Sequence, residues 1–192
     1  MDEKAMLIYY LRRQRDPLLW KLSNLGERQL RMPMTATGTN LLGVAKHVAS
    51  VDVGYFGEVF GRPFGEPTPW MDEGAEPNAD MWATRDESAD WVRSFCRRAW
   101  EHSDATIEAL DLDAPGVVAW WPPERRNTDL RTVLVHMIAE TARHVGQVDI
   151  VRELIDGRAG ADQTWSNLPD QGDNDWKNYV QRLRKLAESF PG

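Results

Sequence analysis

This sequence has one cysteine, fewer basic than acidic side chains and no long apolar run, and each of these features argues against a class of protein. The single cysteine, Cys96, cannot form an intrachain disulfide, so nothing indicates an oxidising compartment. No apolar run approaches the ~20 residues of a membrane-spanning helix. The start, Met1-Asp2-Glu3-Lys4, lacks the basic and apolar regions of a secretory signal. We therefore expect a cytoplasmic protein that does not enter a membrane.

Basic side chains are outnumbered by acidic ones, which argues against polyanionic partners. The chain has 23 Lys and Arg against 30 Asp and Glu, a formal net charge of −7. A surface of that sign repels phosphate backbones and anionic lipid. We therefore expect no nucleic-acid partner and no membrane partner. The length of 192 residues, 42% of them hydrophobic, suits one domain with a sizeable core, spanning residues 1–192.

Apolar side chains recur at helical spacing along most of the chain, and no strand is predicted. Four main helices are expected at about residues 3–25, 39–61, 86–110 and 127–157, with a short amphipathic helix at about 174–189. The expected boundary signals are a stop at Gly26, an N-cap at Thr39, a capping box at Thr84 to Glu87, an N-cap at Asn127 or Thr128, and a stop at Gly157. Pro17 predicts a kink or a break in the first helix.

Long connections separate the second, third and fourth helices. Such an arrangement is typical of an all-α four-helix bundle, here with a core at about 3–157 and an extension at 158–192. The connection at about 62–83 is rich in Pro, Gly and acidic residues, and loops of this length often form lids or binding loops. This loop and the pair Trp120-Trp121 are candidates for pocket walls, with simple packing as the alternative.

The fourth helix has polar residues within its apolar stripe. That stripe comprises Val133, Met137, Glu140, His144, Val148, Val151 and Ile155. Burying an ionised carboxylate without a partner is costly, so a compensating group must lie nearby. Residues four apart on a helix lie one above the other and can contact the same ion.

His47 lies on the apolar face of the second helix, between Val44 and Val51, and therefore also faces the core. Two histidines and a glutamate that converge inside a bundle form a metal site with an open position. This ligand set suits Zn²⁺ best, with Ni²⁺ or Fe²⁺ as alternatives. The competing interpretation is a bundle without metal, in which His47, Glu140 and His144 form hydrogen bonds with one another.

His136 offers a second way to assign the ligands of the fourth helix. It lies four residues before Glu140, but eight residues, or about 12 Å of helix axis, separate it from His144. One ion cannot bind both histidines, and periodicity favours the pair Glu140 and His144. His136 then packs beside the site or supports a ligand. His102 is expected in solvent, and Cys96 is expected as a buried structural thiol.

Two segments resemble the DinB-like superfamily of metal-binding proteins. One is Leu134-Val135-His136-Met137-Ile138-Ala139-Glu140-Thr141-Ala142-Arg143-His144-Val145-Gly146-Gln147, which is similar to the signature of the superfamily's last helix. The other is Leu41-Leu42-Gly43-Val44-Ala45-Lys46-His47-Val48, which is similar to its second-helix motif. The continuation at 149–157 resembles an uncharacterised, largely actinobacterial subgroup, and the whole resemblance spans about 3–157.

The resemblance implies an up-down-down-up four-helix bundle and a divalent metal held by His47, Glu140 and His144. A glutamate at the first last-helix position resembles the mycothiol-dependent maleylpyruvate isomerase branch, and we expect no counterpart of the second domain of that isomerase. The implied function is a metal-dependent thiol S-transferase or a hydrolase acting on a small molecule, with mycothiol as the candidate thiol. The alternative is a non-catalytic protein that binds metal or a small ligand.

The nine tryptophans and the amphipathic C-terminal helix predict more apolar surface than a monomer usually exposes. DinB-like proteins commonly form two-fold dimers, and two-fold symmetry is the commonest in soluble oligomers. We therefore expect a homodimer. The alternative is a monomer whose C-terminal helix folds back over its own bundle.

Overall fold

The computed structural model describes residues 1–191 and is mostly helical. The α-helices are α1 (Glu3–Lys21), α2 (Glu27–Arg31), α3 (Leu41–Phe56), α4 (Ala89–Ala109), α5 (Leu130–Asp156) and α6 (Asp173–Glu188), and the strands are β1 (Pro115–Val117) and β2 (Asn127–Asp129). Short 3₁₀ turns lie at Glu58–Phe60, Pro69–Met71, Ala79–Met81 and Pro123–Arg125. Within residues 1–191, none of the helices is long and apolar enough to cross a lipid bilayer.

Helix α1 ends earlier than the sequence predicts, and it is not broken. It continues through Pro17 to Lys21 as one helix, so the predicted break is wrong. Burial of neighbouring leucines, including Leu18, offsets the ~3 kcal/mol that a proline costs inside a helix. Asn24 then adopts a left-handed conformation that ends the helical path. Gly26, the predicted stop, is instead the N-cap of α2, a helix that the sequence did not predict.

The N-caps of the other main helices lie one to four residues after the predicted ones. Asn40 rather than Thr39 caps α3, and its side chain accepts a hydrogen bond from the Gly43 amide. Ser88 caps α4, and Asp129 rather than Asn127 or Thr128 caps α5. These shifts arise because several Ser, Thr, Asn and Asp residues cluster before each helix, and any of them is a competent cap.

The small antiparallel hairpin of β1 and β2 contradicts the prediction that the chain has no strand. Gly116 pairs with Thr128, and an added Cβ at Gly116 would collide with Val59 and Phe60. Pairing of such short strands, rich in Pro, Gly and Asn, depends on tertiary packing and not on strand propensity. The hairpin leads directly into α5 and holds the Trp120-Trp121 segment against α3 through hydrogen bonds described below.

Helices α1 and α5 pack side by side and run in the same direction. Glu3 lies 2.8 Å from Arg131 near the start of both helices, and Lys21 lies 2.7 Å from Asp149 near their ends. Lys21 is fully buried and Asp149 is partly exposed, so only the aspartate end of this pair contacts solvent. The two ion pairs therefore fix how α1 and α5 align along their length.

Helix α3 lies between α4 and α5 and runs antiparallel to α5. The rings of His47 and His144 lie 4.6 Å apart near one end of this pair, and those of Tyr55 and His136 lie 4.7 Å apart about two turns along. The core is formed by buried side chains from all four long helices, including Leu18, Val44, Phe95 and Val148. This packing brings the two sequence motifs face to face.

Candidate metal centre

The polar side chains of α5 lie on the face that the apolar stripe predicts. Val133, Met137, Val148 and Val151 are buried, and His144 is nearly buried. Glu140 and Ile155 are partly exposed at the edge of the same face. Gly157 ends α5 in a left-handed conformation with φ 75°, as the sequence predicts. The stripe therefore brings Glu140 and His144 to the interface with α3.

The side chains of His47, Glu140 and His144 converge between α3 and α5. The Nε2 atoms of His144 and His47 lie 3.0 and 3.8 Å from the same oxygen, Oε1 of Glu140. One donor atom from each residue lies within 4.8 Å of the other two. Glu140 is the most open of the three, with 30% of its side chain exposed against 17% for His47. The site is therefore reached from solvent on the glutamate side.

Each histidine has a hydrogen-bond partner at its outer ring nitrogen. Nδ1 of His47 lies 2.6 Å from Oδ2 of Asp80, and Nδ1 of His144 lies 2.9 Å from Oε1 of Gln147. The hydrogen bond from His47 lowers the pKa of the Asp80 carboxyl, so that group is ionised at neutral pH. With protons on both Nδ1 atoms, the two Nε2 lone pairs point toward Glu140.

The hydrogen-bond count of these rings favours a cation at the centre. A neutral imidazole carries one proton, yet His144 has an acceptor at each ring nitrogen, Gln147 on one side and Glu140 on the other. His47 has one such partner, Asp80, and its Nε2 lies 3.8 Å from Glu140, beyond hydrogen-bond distance. A cation between Nε2 of His144 and Glu140 would satisfy both acceptors of that ring, and Nε2 of His47 lies close enough to bind the same ion. A single divalent ion satisfies both rings at once.

The spacing of the three donor atoms suits a small divalent ion. Tetrahedral zinc has bonds of about 2.0–2.2 Å to nitrogen and oxygen, which places neighbouring donors about 3.4 Å apart. The distances of 3.0 and 3.8 Å from Glu140 to the two histidines lie on either side of that value. Two imidazoles and one carboxylate leave a fourth position for solvent or a ligand. The residues present therefore fit the predicted metal.

Asp80 reaches His47 because its loop is fastened to the start of α3. The side chain of Asn40 donates to the Met81 carbonyl, and Lys46 donates to the carbonyls of Ala79 and Trp82. Gly43 lies directly beneath the loop, where any added Cβ would collide with the carbonyl of Met81. The glycine of the second-helix motif is thus required for close approach, and it allows the turn at Ala79–Met81 to place Asp80 on His47.

His136 lies outside the cluster of three converging side chains. Its ring packs 4.7 Å from the ring of Tyr55 and 5.2 Å from that of Trp121. Burial lowers the pKa of His136, which keeps its imidazole neutral at pH 7. This placement agrees with the interpretation of His136 as a packing residue beside the site.

Cys96 and His102 have structural environments. Cys96 is buried, its thiol donates to the carbonyl of Ala45, and burial raises its pKa to about 12. Such a thiol is not ionised near neutral pH and is no nucleophile. His102 is half-buried, with Nε2 at 2.8 Å from the Arg62 carbonyl and its ring against Phe64, so the prediction of a solvated histidine is only partly met.

Sequence reasoning missed Asp80 and Gln147. Gln147 follows His144 by three residues, so helical spacing alone places it beside that ring. Asp80 lies in an irregular loop with several other acidic residues, and no periodicity distinguishes it from Asp72 or Glu76. Only the docking of the loop onto α3 identifies which carboxylate reaches the site.

Comparison with known sequences identifies the family of the chain. No curated protein matches the chain. The sequence model of the mycothiol-S-transferase family matches residues 6–157, which contain His47, Glu140 and His144 and end where α5 ends. This is a DinB-like family, so the resemblance of the two helical motifs is confirmed. The chain belongs to the mycothiol-S-transferase family.

Proposed function

We propose that this protein is a divalent-metal-dependent S-transferase that joins the sulfur of mycothiol to an electrophilic small molecule, as the thiol loses its proton and the electrophile loses its leaving group. The main observation behind the proposal is the convergence of His47, Glu140 and His144. The Nδ1 atoms of both histidines already have hydrogen-bond partners, which leaves both Nε2 atoms for the metal. The family match supports thiol transfer as the reaction class. The three residues are proposed as the metal ligands, with Zn²⁺ as the expected ion and Ni²⁺ or Fe²⁺ as alternatives.

The residues around the site prepare it for a thiol. A bound divalent cation lowers the pKa of a coordinated thiol or water and so supplies a nucleophile near neutral pH. Asp80 and Gln147 fix the orientation of the two imidazoles, so that both Nε2 atoms point inward without rearrangement. Glu140 is the one carboxylate among the three proposed ligands, and a divalent ion held there would attract the sulfur of a thiol.

The nucleophilic sulfur must come from a second molecule. Cys96 is the single cysteine of the chain, and it is buried with a raised pKa. Replacing Cys96 by alanine should therefore leave thiol transfer intact. This gives a control for the central experiment, because a Glu140→Gln variant should lose the reaction while Cys96→Ala retains it.

Two alternatives use the same residues. In a hydrolase, water takes the place of the thiol at the open position, and in a non-catalytic protein the metal holds a small ligand. The partly exposed Glu140 leaves the site accessible to either molecule. Product analysis separates them: a thioether formed only when mycothiol is present supports transfer, hydrolysed substrate without thiol supports hydrolysis, and binding without turnover supports the third function.

The central experiment combines metal analysis with an assay of thiol consumption. The purified full chain, prepared without a histidine tag, should contain close to one divalent transition metal. It should consume mycothiol in the presence of an alkylating electrophile, and chelation should stop the reaction. A protein that contains no metal and takes up neither Zn²⁺ nor Ni²⁺ on titration would refute the metal site and with it the mechanism.

The finer features of the fold and assembly belong to the same proposal. The four long helices are proposed to form an up-down-down-up bundle within a single domain, supported by the parallel ion pairs of α1 and α5 and the antiparallel contacts of α3 and α5. We propose a homodimer in the cytoplasm. The dimer is supported by α6, in which no residue is buried. Its side chains Tyr179, Leu183 and Leu186 are each more than two-fifths exposed, so they form apolar surface that a second copy can cover.

A further inference from the structure

A cavity of about 300 Å³ opens beside the candidate metal centre, and the function proposed above assigns it no role. It is lined by Ser50, Val51, Val53, Gly54, Tyr55, Glu58, Thr68, Met71 and Trp120. Small-molecule sites in proteins have volumes of about 300–1,000 Å³, so the cavity suits a compact ligand. We name it the aromatic cleft after Tyr55 and Trp120, which line it.

The aromatic cleft lies along the same face of α3 as His47. Ser50 and Val51 follow His47 by three and four residues, and Gly54 and Tyr55 by seven and eight. These are the spacings at which residues share one helix face. At 1.5 Å of rise per residue, the cleft begins about 5 Å along the helix axis from His47. A molecule bound in the cleft therefore lies along α3 about one helical turn from His47.

Hydrogen bonds hold the aromatic wall in place. The hydroxyl oxygen of Tyr55 accepts the indole N–H of Trp121 at 2.8 Å and that of Trp120 at 3.2 Å. Both indole donors are thereby satisfied, and the rings present apolar surface. Within residues 1–191, the Tyr55 hydroxyl donates no hydrogen bond to another residue. Trp120 and Tyr55 thus offer a ligand flat apolar surface and one hydroxyl donor. The hydrogen bonds between them already hold these side chains in position.

Gly54 lines the cleft beside the indole ring of Trp120. It has no side chain, and an ideal Cβ added there would lie 3.7 Å from Cη2 of Trp120, an ordinary van der Waals contact. Alanine therefore fits at this position without displacing the indole ring. A leucine would extend three further carbon atoms beyond a Cβ that already contacts Trp120, and it would displace the indole ring or fill the cleft.

The charge of the lining selects among ligands. Glu58 is the one ionisable carboxylate among the lining residues, and none of them is Lys, Arg or His. Arg125 is nearby, but it lies over the ring of Trp121 and outside the lining. A carboxylate repels anions and attracts cations, which adds to the effect of the chain's net charge of −7.

We infer that the aromatic cleft binds the second substrate, an uncharged or cationic electrophile with a flat apolar body, and excludes anionic ones. Calling this ligand the electrophilic substrate rests on the proposed transferase function. Its binding in the cleft does not. Stacking on Trp120 and burial of the flat body provide affinity, and Glu58 provides charge selectivity. Three unreactive ligands of similar size, one neutral, one cationic and one anionic, test this binding without a reaction.

The experiment uses 5-fluorotryptophan-labelled protein and ¹⁹F NMR with benzyl alcohol, benzylammonium and benzoate as probes. The Trp120 resonance is assigned with a Trp120→Phe variant, and Trp176 in the distant helix α6 is the internal control. Benzyl alcohol and benzylammonium should shift the Trp120 resonance saturably while Trp176 stays fixed. Benzoate should bind about threefold or more weakly than benzylammonium, the scale of one partly solvated charge.

Matched variants locate the binding. Gly54→Leu should weaken binding of benzyl alcohol about tenfold or more, and Gly54→Ala should leave it within about twofold, because one methyl group fits and an isobutyl group fills the cleft. Glu58→Gln should remove most of the preference for benzylammonium over benzoate. This exposed substitution does not threaten folding, so it tests the inference even where Gly54→Leu fails to fold.

Three results would overturn the inference: no saturable shift of Trp120 with any probe, equal affinity for benzoate and benzylammonium, or unchanged binding in a folded Gly54→Leu protein. These readouts need neither metal nor thiol. Binding in the cleft without thiol consumption would therefore contradict the transferase proposal alone. Thiol transfer that proceeds equally in folded Gly54→Leu would contradict the cleft alone.

Discussion

Replacing Asp80 by asparagine should weaken binding of Zn²⁺ while leaving the three proposed ligands intact. Asp80 and His47 are 2.6 Å apart with 18% and 17% of their side chains exposed, so water cannot fully replace the carboxylate. Loss of a carboxylate partner of a metal-binding histidine costs about 10- to 100-fold in affinity, or about 1.4–2.7 kcal/mol. We expect a loss within this range, because the amide retains the shape of the acceptor but not its charge.

The assay is competition with a chromophoric zinc chelator at pH 7. Asp72→Asn is the matched control, since Asp72 is exposed in the same loop and its replacement removes the same charge. Equal affinities in the wild type and Asp80→Asn would refute the argument that Asp80 orients His47. An equal loss in Asp72→Asn would show that general charge, and not the hydrogen bond, supports binding.

Acid sensitivity provides a second readout of the same contact. The hydrogen bond from His47 lowers the pKa of Asp80, so this interaction stabilises the fold above the ordinary carboxyl range and is lost as the pH falls through the lowered pKa. In the metal-free protein, Asp80→Asn should therefore reduce the free energy of unfolding more at pH 7 than at pH 3. Urea titrations at the two pH values measure the difference, and an equal loss at both would contradict the pKa argument.

Three further predictions concern the ligands, the core and the assembly. His144→Ala should abolish metal binding and His136→Ala should retain it, as measured by elemental analysis with circular dichroism to confirm helicity; the reverse result would refute the ligand assignment. Asp52→Ala should lower the free energy of unfolding in urea by about 1.5–3 kcal/mol, because the buried Arg15 loses its 2.6 Å partner and keeps only Asp104 at 2.8 Å, and a loss below 1 kcal/mol would contradict that pairing. Light scattering should give about twice the chain mass of 22.0 kDa, and Leu183→Asp on the exposed face of α6 should return it to the monomer value; a wild-type mass near 22.0 kDa would refute the dimer.

Helical periodicity predicted the long helices well and the short elements badly. The end of α5 at Gly157 and the bounds of α6 agree with the sequence to within about a residue, because a glycine stop and an amphipathic pattern are local signals. Helix α2 and the hairpin of β1 and β2 were missed. Each has five residues or fewer per segment, too few for a periodic pattern, and each is stabilised by contacts with distant parts of the chain.

The sequence by itself determined which face of α5 carries Glu140 and His144, and which face of α3 carries His47. Residues three or four apart must share a helix face, so local geometry is sufficient for that conclusion. The sequence also determined that no cysteine pair exists and that the chain's net charge is negative. These properties follow from composition and from contacts within one helix.

Only the tertiary structure decided what surrounds those three side chains. Asp80 reaches His47 from 33 residues away because Asn40, Gly43 and Lys46 dock its loop onto α3. The aromatic cleft likewise requires Trp120 to cross onto α3, 65 residues from Tyr55. Such contacts depend on loop closure and on the packing of whole helices, and neither leaves a periodic pattern in the sequence from which a partner can be identified.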